Sequence, residues 1–281
     1  MTTGALIFAH NNAGIDYTKL AIFSANRVIE YLDIPVTLVT DNKRYLENTY
    51  PDHPFDQVIE ISAEQSMDKL FYDGTLSYKK LEWKNLSRNK VYELTPYDKT
   101  LVLDSDYILN SDLLKVGLER DVPFQIYKDS VDLAGWRDIT EFQRINSYSI
   151  PFYWATVFIF EKNFLTQAFF DLVFYIKSNW LYFRTLYGID APNFRNDYAF
   201  SIAINIMNNK MPGDFAIELP GKMNYIKDRD ILLKIVDSKM QFLVEKENHI
   251  GEYIAVKTSG LDVHVMNKSS LTRVIDGGIG V

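Results

Sequence analysis

The stretch "YDKTLVLDSDYILNSDLLKV", residues 97–116, decides how this chain is read. A short apolar run, Leu101-Val102-Leu103, leads straight into Asp104 and Asp106. Bounded apolar runs of this length read as buried strands. Two carboxylates two residues apart repel one another. A turn needs only one of them, as a cap for the next element. A bound cation needs both.

Working outward, "GALIFAH" (4–10), "PVTLVTDN" (35–42) and "FDQVIEIS" (55–62) read as further strands. Between them, "TKLAIFSANRVIEYL" (18–32) has apolar residues at helical spacing, and "KNLSRNKVYELTPY" (84–97) reads as a helix ended near Pro96. Strands alternating with helices predict an α/β fold, with a mostly parallel central sheet flanked by helices. Ligands of such sheets sit at the carboxyl ends of the strands, and Asp104 and Asp106 lie at one.

The second half is more mixed. "FYWATVFIF" (152–160) is another buried strand, residues 162–187 are an aromatic helical region, and 194–209 form a helix entered through Asn196 and Asp197. "GLDVHVMNK" (260–268) is a late strand, with Asp262 and His264 on one face and Val263 and Val265 on the other. There is no internal repeat and no Pro- or Ser-rich linker, so residues 1–270 are expected to form one domain and 271–281 a flexible tail.

Composition narrows the function classes. At 281 residues, 47% apolar and 24% charged, the chain is long enough for a large core. Its formal net charge of -7 disfavours general binding to nucleic acid or anionic membrane. That balance suits a phosphate ligand held through a divalent cation, because the metal brings positive charge. There is no cysteine, which excludes disulfides, thiolate zinc sites and a cysteine nucleophile. No basic n-region opens the chain, and Asp171, Lys177 and Arg184 interrupt the most apolar stretch, Phe164 to Tyr187. No secretory signal or membrane span is therefore expected, and the default compartment is cytoplasmic.

Asp-x-Asp alone is weak evidence, since about two such pairs arise by chance in a chain of this composition. The second pair here, Asp228 and Asp230 in "KDRD", is flanked by charge and reads as a solvated turn or helix start. Only the first pair follows an apolar strand. Its hard oxygen ligands suit Mg²⁺ or Mn²⁺, ions commonly shared between carboxylates and substrate phosphates.

Five stretches of the chain resemble the glycogenin-like glycosyltransferases of the GT-A fold. "LIFAHNNAGIDYTKLAIFSANRV" is similar to that family's first strand, nucleotide loop and helix, and "RNKVYELTPYDKTLVLDSDYIL" to its basic residue, helix, strand and Asp-x-Asp. "FYWATVFIF" is similar to its sugar-recognition strand, and "FRNDYAFSIA" with "DVHVMNK" to its acidic helix start and metal-binding histidine segment. The resemblance implies a metal site of Asp104, Asp106 and His264. It implies donor binding by Ala9, His10, Asn11, Tyr17, Arg88, Asp104, Ser105 and Lys268, and catalytic roles for Asp197 and Arg88. It divides the chain into a nucleotide-binding half, 1–110, and a half that completes the metal and acceptor sites, 111–270. Two departures stand out: Trp154-Ala155-Thr156 replaces the family's Asn-Ser-Gly, and the Gly and Lys-Pro-Trp after the histidine are missing.

Each residue also has a plainer reading. His264 between two valines suits a packed, hydrogen-bonded histidine. Arg88 suits a solvated helix position, His10 a loop residue and Asp197 a helix cap. The aromatic stretch suits core packing better than stacking on an acceptor. The resemblance implies hexosyl or pentosyl transfer from a nucleoside diphosphate sugar, UDP-linked, with Mn²⁺ or Mg²⁺ and retention of configuration. The acceptor hydroxyl belongs to a glycan, a protein, a small molecule or, least in keeping with the charge, a nucleic acid. A sugar nucleotidyltransferase would open with a Gly-rich loop, and "FAHNNAGID" has one Gly. A non-catalytic nucleotide-sugar or protein-binding module is the remaining alternative.

Overall fold

In the computed structural model, which describes residues 1–62, 66–84, 87–135, 137, 142–146, 149–191 and 193–277, the first half alternates as the sequence predicts. Strand β1 (Thr3–Ala9) is buried along almost its whole length, as a strand covered on both faces must be. Helix α1 (Tyr17–Leu32) starts at Asp16, whose side chain accepts from Lys19 N. It lays Leu20, Ala21, Ser24, Ala25, Val28 and Leu32 against the sheet at i, i+3/i+4 spacing. Then come β2 (Val36–Thr40), α2 (Lys43–Thr49) and β3 (Gln57–Glu60).

Next stands a hairpin that the sequence reading missed, β4 (Met67–Tyr72) and β5 (Tyr78–Trp83). The expected helix over 84–97 shrinks to a 3-10 turn, Arg88–Lys90, and a single turn, α3 (Val91–Leu94). Its positions 85–86 lie outside the described residues. Arg88 is fully buried there and donates to Ala155 O, so tertiary contacts override a solvated helix. Strand β6 (Lys99–Asp104) follows, then β7 (Tyr107–Ile108), α4 (Leu113–Glu119), β8 (Phe124–Tyr127) and β9 (Ser130–Asp132).

Strand β10 (Trp154–Glu161) is followed by two helices rather than one, α5 (Phe164–Ser178) and α6 (Trp180–Leu186). Asn163 and Thr166 make a capping box at the start of α5, and the break falls at Asn179, whose side chain donates back to Tyr175 O. Phe169 and Phe170 of this stretch pack with Phe124, Phe158 and Phe200, so its inward face is core. Helix α7 (Asn196–Met207) precedes β11 (Ile217–Glu218), β12 (Met223–Ile226) and an antiparallel meander, β13 (Ile231–Val236), β14 (Lys239–Glu245) and β15 (Tyr253–Ser259). Strand β16 (Val263–Val265) and helix α8 (Lys268–Ile275) close the described chain.

The expected loose tail is corrected in part. Residues 271–275 are helical and Leu271 is fully buried, because Asn267 caps α8 by accepting from Ser270 N. Residues 278–281 lie outside the described residues. The expected alternation at 263–265 is also corrected, since Val263, His264 and Val265 are all buried between two neighbouring strands.

The central sheet has the order β11-β8-β10-β6-β1-β2-β3. Only β10 runs against its neighbours, and helices flank the sheet. The fold is therefore mixed α/β with a mostly parallel sheet. The reversed strand matters for function. Its register, Val157↔Leu103, brings residues 154–156 to the carboxyl end of β6. A second sheet, β7-β16-β12-β9, stands at that same end.

Asp262, just before β16, accepts from Asn110 N (2.7 Å) and Ser111 Oγ (3.0 Å), while its Oδ2 is buried without a partner. Burial pushes its pKa up to about 6, against these hydrogen bonds and nearby Arg27. A carboxyl raised in the folded state adds stability below its unfolded pKa, and that stability is lost as pH rises through the folded value. Asp262→Asn should therefore gain on wild type by up to about 3 kcal/mol between pH 4 and pH 7. Urea unfolding of both proteins across that range measures it. A constant difference would mean that Asp262 does not titrate as described.

Candidate active site

The carboxyl ends of β1 and β6, the start of β10 and the ends of β12 and β16 enclose a cavity of about 410 Å³. His10, Tyr17, Arg88, Asp104, Ser105, Asp106, Asp197, His264 and Lys268 all line it. Ala9 and Asn11 are not among its lining residues. Asn11 instead accepts from the Thr18 backbone (3.0 Å), securing the loop into α1.

Backbone pairing builds the acidic group. Strand β16 runs antiparallel to β7 with His264 opposite Tyr107, and Val265 N donates to Asp106 O (2.9 Å). That register sets the imidazole beside the Asp-x-Asp segment. One ligand atom from each of Asp104, Asp106 and His264 lies within 4.8 Å of the others. Two ligands bound about 2.1 Å from a common ion are at most about 4.2 Å apart, so a small contraction closes the set. Two hard carboxylates with one imidazole fit a divalent cation, and these three residues are the ones that would hold it.

Both carboxylates have cationic neighbours. Arg88 donates to Asp104, and Lys268 Nζ lies 2.6 Å from Asp106 Oδ2, with His264 Nε2 3.3 Å from the same oxygen. Burial would raise the Asp106 carboxyl, but Lys268 and His264 outweigh it and hold it well below the usual range. Burial likewise opposes the charge on Lys268, yet Asp106 keeps its pKa raised. Burial pushes Arg88 down to about 10, with Asp197 and Asp106 opposing, so its guanidinium stays charged at neutral pH.

Asp197 sits in the first turn of α7, not at its cap, which is Arg195. Its Oδ1 accepts from Ala155 N (3.0 Å) and its Oδ2 from Arg195 (2.8 Å). This carboxylate therefore ties α7 to β10 while facing the cavity. The Asp228/Asp230 pair needs correction. Asp230 is fully buried on Arg137, and Asp228 lines the cavity, because β12 runs parallel to β16 and delivers the turn at 227–230 beside Met266. Flanking charges suggested solvent, but here Asp230 finds its partner inside the protein.

Sequence reasoning also missed the roof. Hairpin β4-β5 brings Met67, Lys69, Leu70, Phe71 and Trp83 to the cavity. Its tip is tied down where Thr75 N donates to Tyr253 Oη (2.9 Å) and Arg273 grips Asp73 at 2.6 and 2.7 Å. No alternation marks "MDKLFY", where Asp68 and Lys69 are adjacent, so the sequence carries no clear strand signal there. By contrast, no residue of 164–187 lines the cavity, so that aromatic stretch does not stack on a ligand there.

Among the described residues, several buried polar atoms at the cavity have no hydrogen-bond partner: His10 Nε2, Tyr17 Oη, Trp154 Nε1 and His264 Nδ1, while His10 Nδ1 faces Asp41 Oδ1 at 3.6 Å. Buried polar groups are nearly always bonded, so this concentration marks a place where a ligand supplies the missing partners. Trp154 also sets its ring edge-on to His264, with centroids 6.0 Å apart. Among the described residues, the lining cations are Lys69, Lys84, Arg88, Arg195, Lys227 and Lys268, against four acids, Asp104, Asp106, Asp197 and Asp228. A cavity with more cations than acids in a chain of net charge -7 favours an anionic ligand.

No protein-family model matches the sequence, and no curated protein matches it. Solved structures show distant likenesses. The galactosyltransferase LgtC, in complex with donor and acceptor sugar analogues, is 15% identical with a TM-score of 0.47, over 76% of this chain and 72% of that one. Mouse xyloside xylosyltransferase 1 is 10% identical with a TM-score of 0.46, over 78% and 85%. The 4-diphosphocytidyl-2C-methyl-D-erythritol synthase of Anaerococcus prevotii is 11% identical with a TM-score of 0.38, over 79% and 89%. No described helix is long and apolar enough to cross a membrane.

Proposed function

We propose that this chain is a metal-dependent glycosyltransferase of the GT-A type, moving a sugar from a nucleoside diphosphate sugar to an acceptor hydroxyl. The observation that carries the reading is the convergence of Asp104, Asp106 and His264 at a strand end, in a cavity that also holds Arg88 and Lys268. A divalent cation held there, Mn²⁺ or Mg²⁺, would neutralise charge on the departing diphosphate. Lys268 and Arg88 add the protein's own positive charge, preorganised where negative charge grows. UDP is the expected nucleotide, from the sequence resemblance.

Retention of configuration is part of the same reading. Outside the metal group, the lining carboxylates are Asp197 and Asp228. Asp197 is already bonded to Ala155 N and Arg195, which makes it a poor nucleophile. Same-face attack, with the leaving phosphate taking the acceptor proton, needs no protein nucleophile. Trp154, standing where the related family has a small polar segment, narrows the sugar site and makes it more apolar.

The test is UDP release from a panel of UDP-sugars with Mn²⁺, followed by the same assay after chelation with EDTA. Release with at least one donor that chelation abolishes is expected. Pyrophosphate release from UTP and a sugar 1-phosphate would instead identify a nucleotidyltransferase. Metal-dependent UDP binding without turnover on any donor or acceptor would leave a binding module.

A further inference from the structure

Asp106 Oδ2 has a cation on it already. Lys268 Nζ sits 2.6 Å from that oxygen and 3.4 Å from Met266 O, at the first position of α8. The Asp106 side chain is 5% exposed and that of Lys268 13%. The ammonium therefore has no route to full hydration without moving. It shares Asp106 with His264, so it stands at the ligand set itself rather than at its margin.

We propose that Lys268 is a built-in placeholder for the divalent cation, which couples metal binding to the arrival of the nucleoside diphosphate. The inference rests on the transferase reading above. In the ligand-free protein the Lys268 ammonium balances the buried Asp106 carboxylate. A divalent ion arriving alone must displace it, and the displaced ammonium then keeps near it the charge of Asp228, to which it makes no hydrogen bond, in place of its paired carboxylate. The neighbouring Tyr17 hydroxyl lacks a partner but carries no charge to offer. A diphosphate arriving with the metal supplies the missing anion, and Lys268 moves from carboxylate to phosphate in a charge-for-charge exchange. Metal and diphosphate then each tighten the other by the same factor, as linkage requires. A site holding its own cation in reserve also keeps Asp106 ionised and oriented between turnovers.

Mn²⁺ binding, followed by the loss of the free-ion EPR signal with and without UDP, tests the exchange on the whole chain. In wild type, UDP should tighten Mn²⁺ by at least about tenfold, and Mn²⁺ should tighten UDP equally. Lys268→Met removes the charge at similar length. It should bind Mn²⁺ alone about tenfold more tightly than wild type, with coupling to UDP reduced by about the same factor, since the direct attraction between metal and phosphate remains. Lys268→Arg should keep the coupling, which a purely structural role would not predict. Lys268→Gln serves if the methionine variant does not fold. Wild type that binds Mn²⁺ and UDP, with neutral variants that bind Mn²⁺ no more tightly, overturns the placeholder role alone. Wild type that binds no Mn²⁺ in either state overturns both this role and the transferase reading.

Discussion

Replacing Asp104 and Asp106 together by alanine is expected to lower UDP release by at least about a thousandfold and to abolish metal-dependent UDP binding. Removing one preorganised group from such a site costs two to three orders of magnitude, and this change removes two of the three proposed metal ligands. It also strips Arg88 and Lys268 of acidic partners, so folding must be followed in parallel. Asp104→Asn and Asp106→Asn give the cleaner comparison. Each keeps an oxygen that accepts from its cation while removing the charge a metal needs. Initial rates of UDP release, with thermal melting on the same samples, measure the effect. Full activity in a folded double variant would defeat the metal-dependent mechanism.

Arg137→Met is expected to destabilise the protein by about 3–5 kcal/mol, the usual cost of removing one partner from a buried ion pair. Arg137 bonds Asp132 at 2.7 and 2.6 Å and Asp230 at 2.8 and 2.7 Å, and both carboxylates are almost fully buried. Burial opposes the guanidinium charge, but hydrogen bonds to the two aspartates hold its pKa above the ordinary value. Without it, two carboxylates share a dry interior. Urea unfolding at neutral pH measures the loss. Adding Asp132→Asn and Asp230→Asn should restore part of it, because the unpaired charges go too. Equal losses in the single and triple variants would show that packing, not charge, is what Arg137 provides. Activity should fall as well. Asp230 O accepts from Asn267, the cap of α8 beside Lys268, so the network positions that lysine.

Sequence alone was sufficient where the cause is local. The apolar run 101–103 and its neighbours at 4–10 and 35–42 are strands because the pattern leaves no hydrophilic face. The caps at Asp16, Asn42 and Asn163 are equally local, each hydrogen bond spanning three residues, although the sequence reading did not single them out. Alternation of such units fixes a mostly parallel sheet, and that sheet puts Asp104 and Asp106 at a ligand-binding edge. The hairpin β4-β5 and the strand β15 escaped notice because they are largely exposed and, in the hairpin, the adjacent charges Asp68-Lys69 and Lys79-Lys80 break any alternation and mimic a loop.

Tertiary structure decided what depends on distant partners. His264 faces Asp106 because β16 pairs with β7, a register that no local pattern encodes. Arg88 is a buried cation lining the cavity rather than a solvated one because the reversed strand β10 delivers Ala155 O to it. Asp230 is core rather than surface because Arg137, far away along the chain, meets it there. A side chain's charge is written in the sequence, but its solvation is not. Burial and counter-ions come from elements far apart along the chain, and they bring two acids spaced two residues apart together with His264 in one cavity.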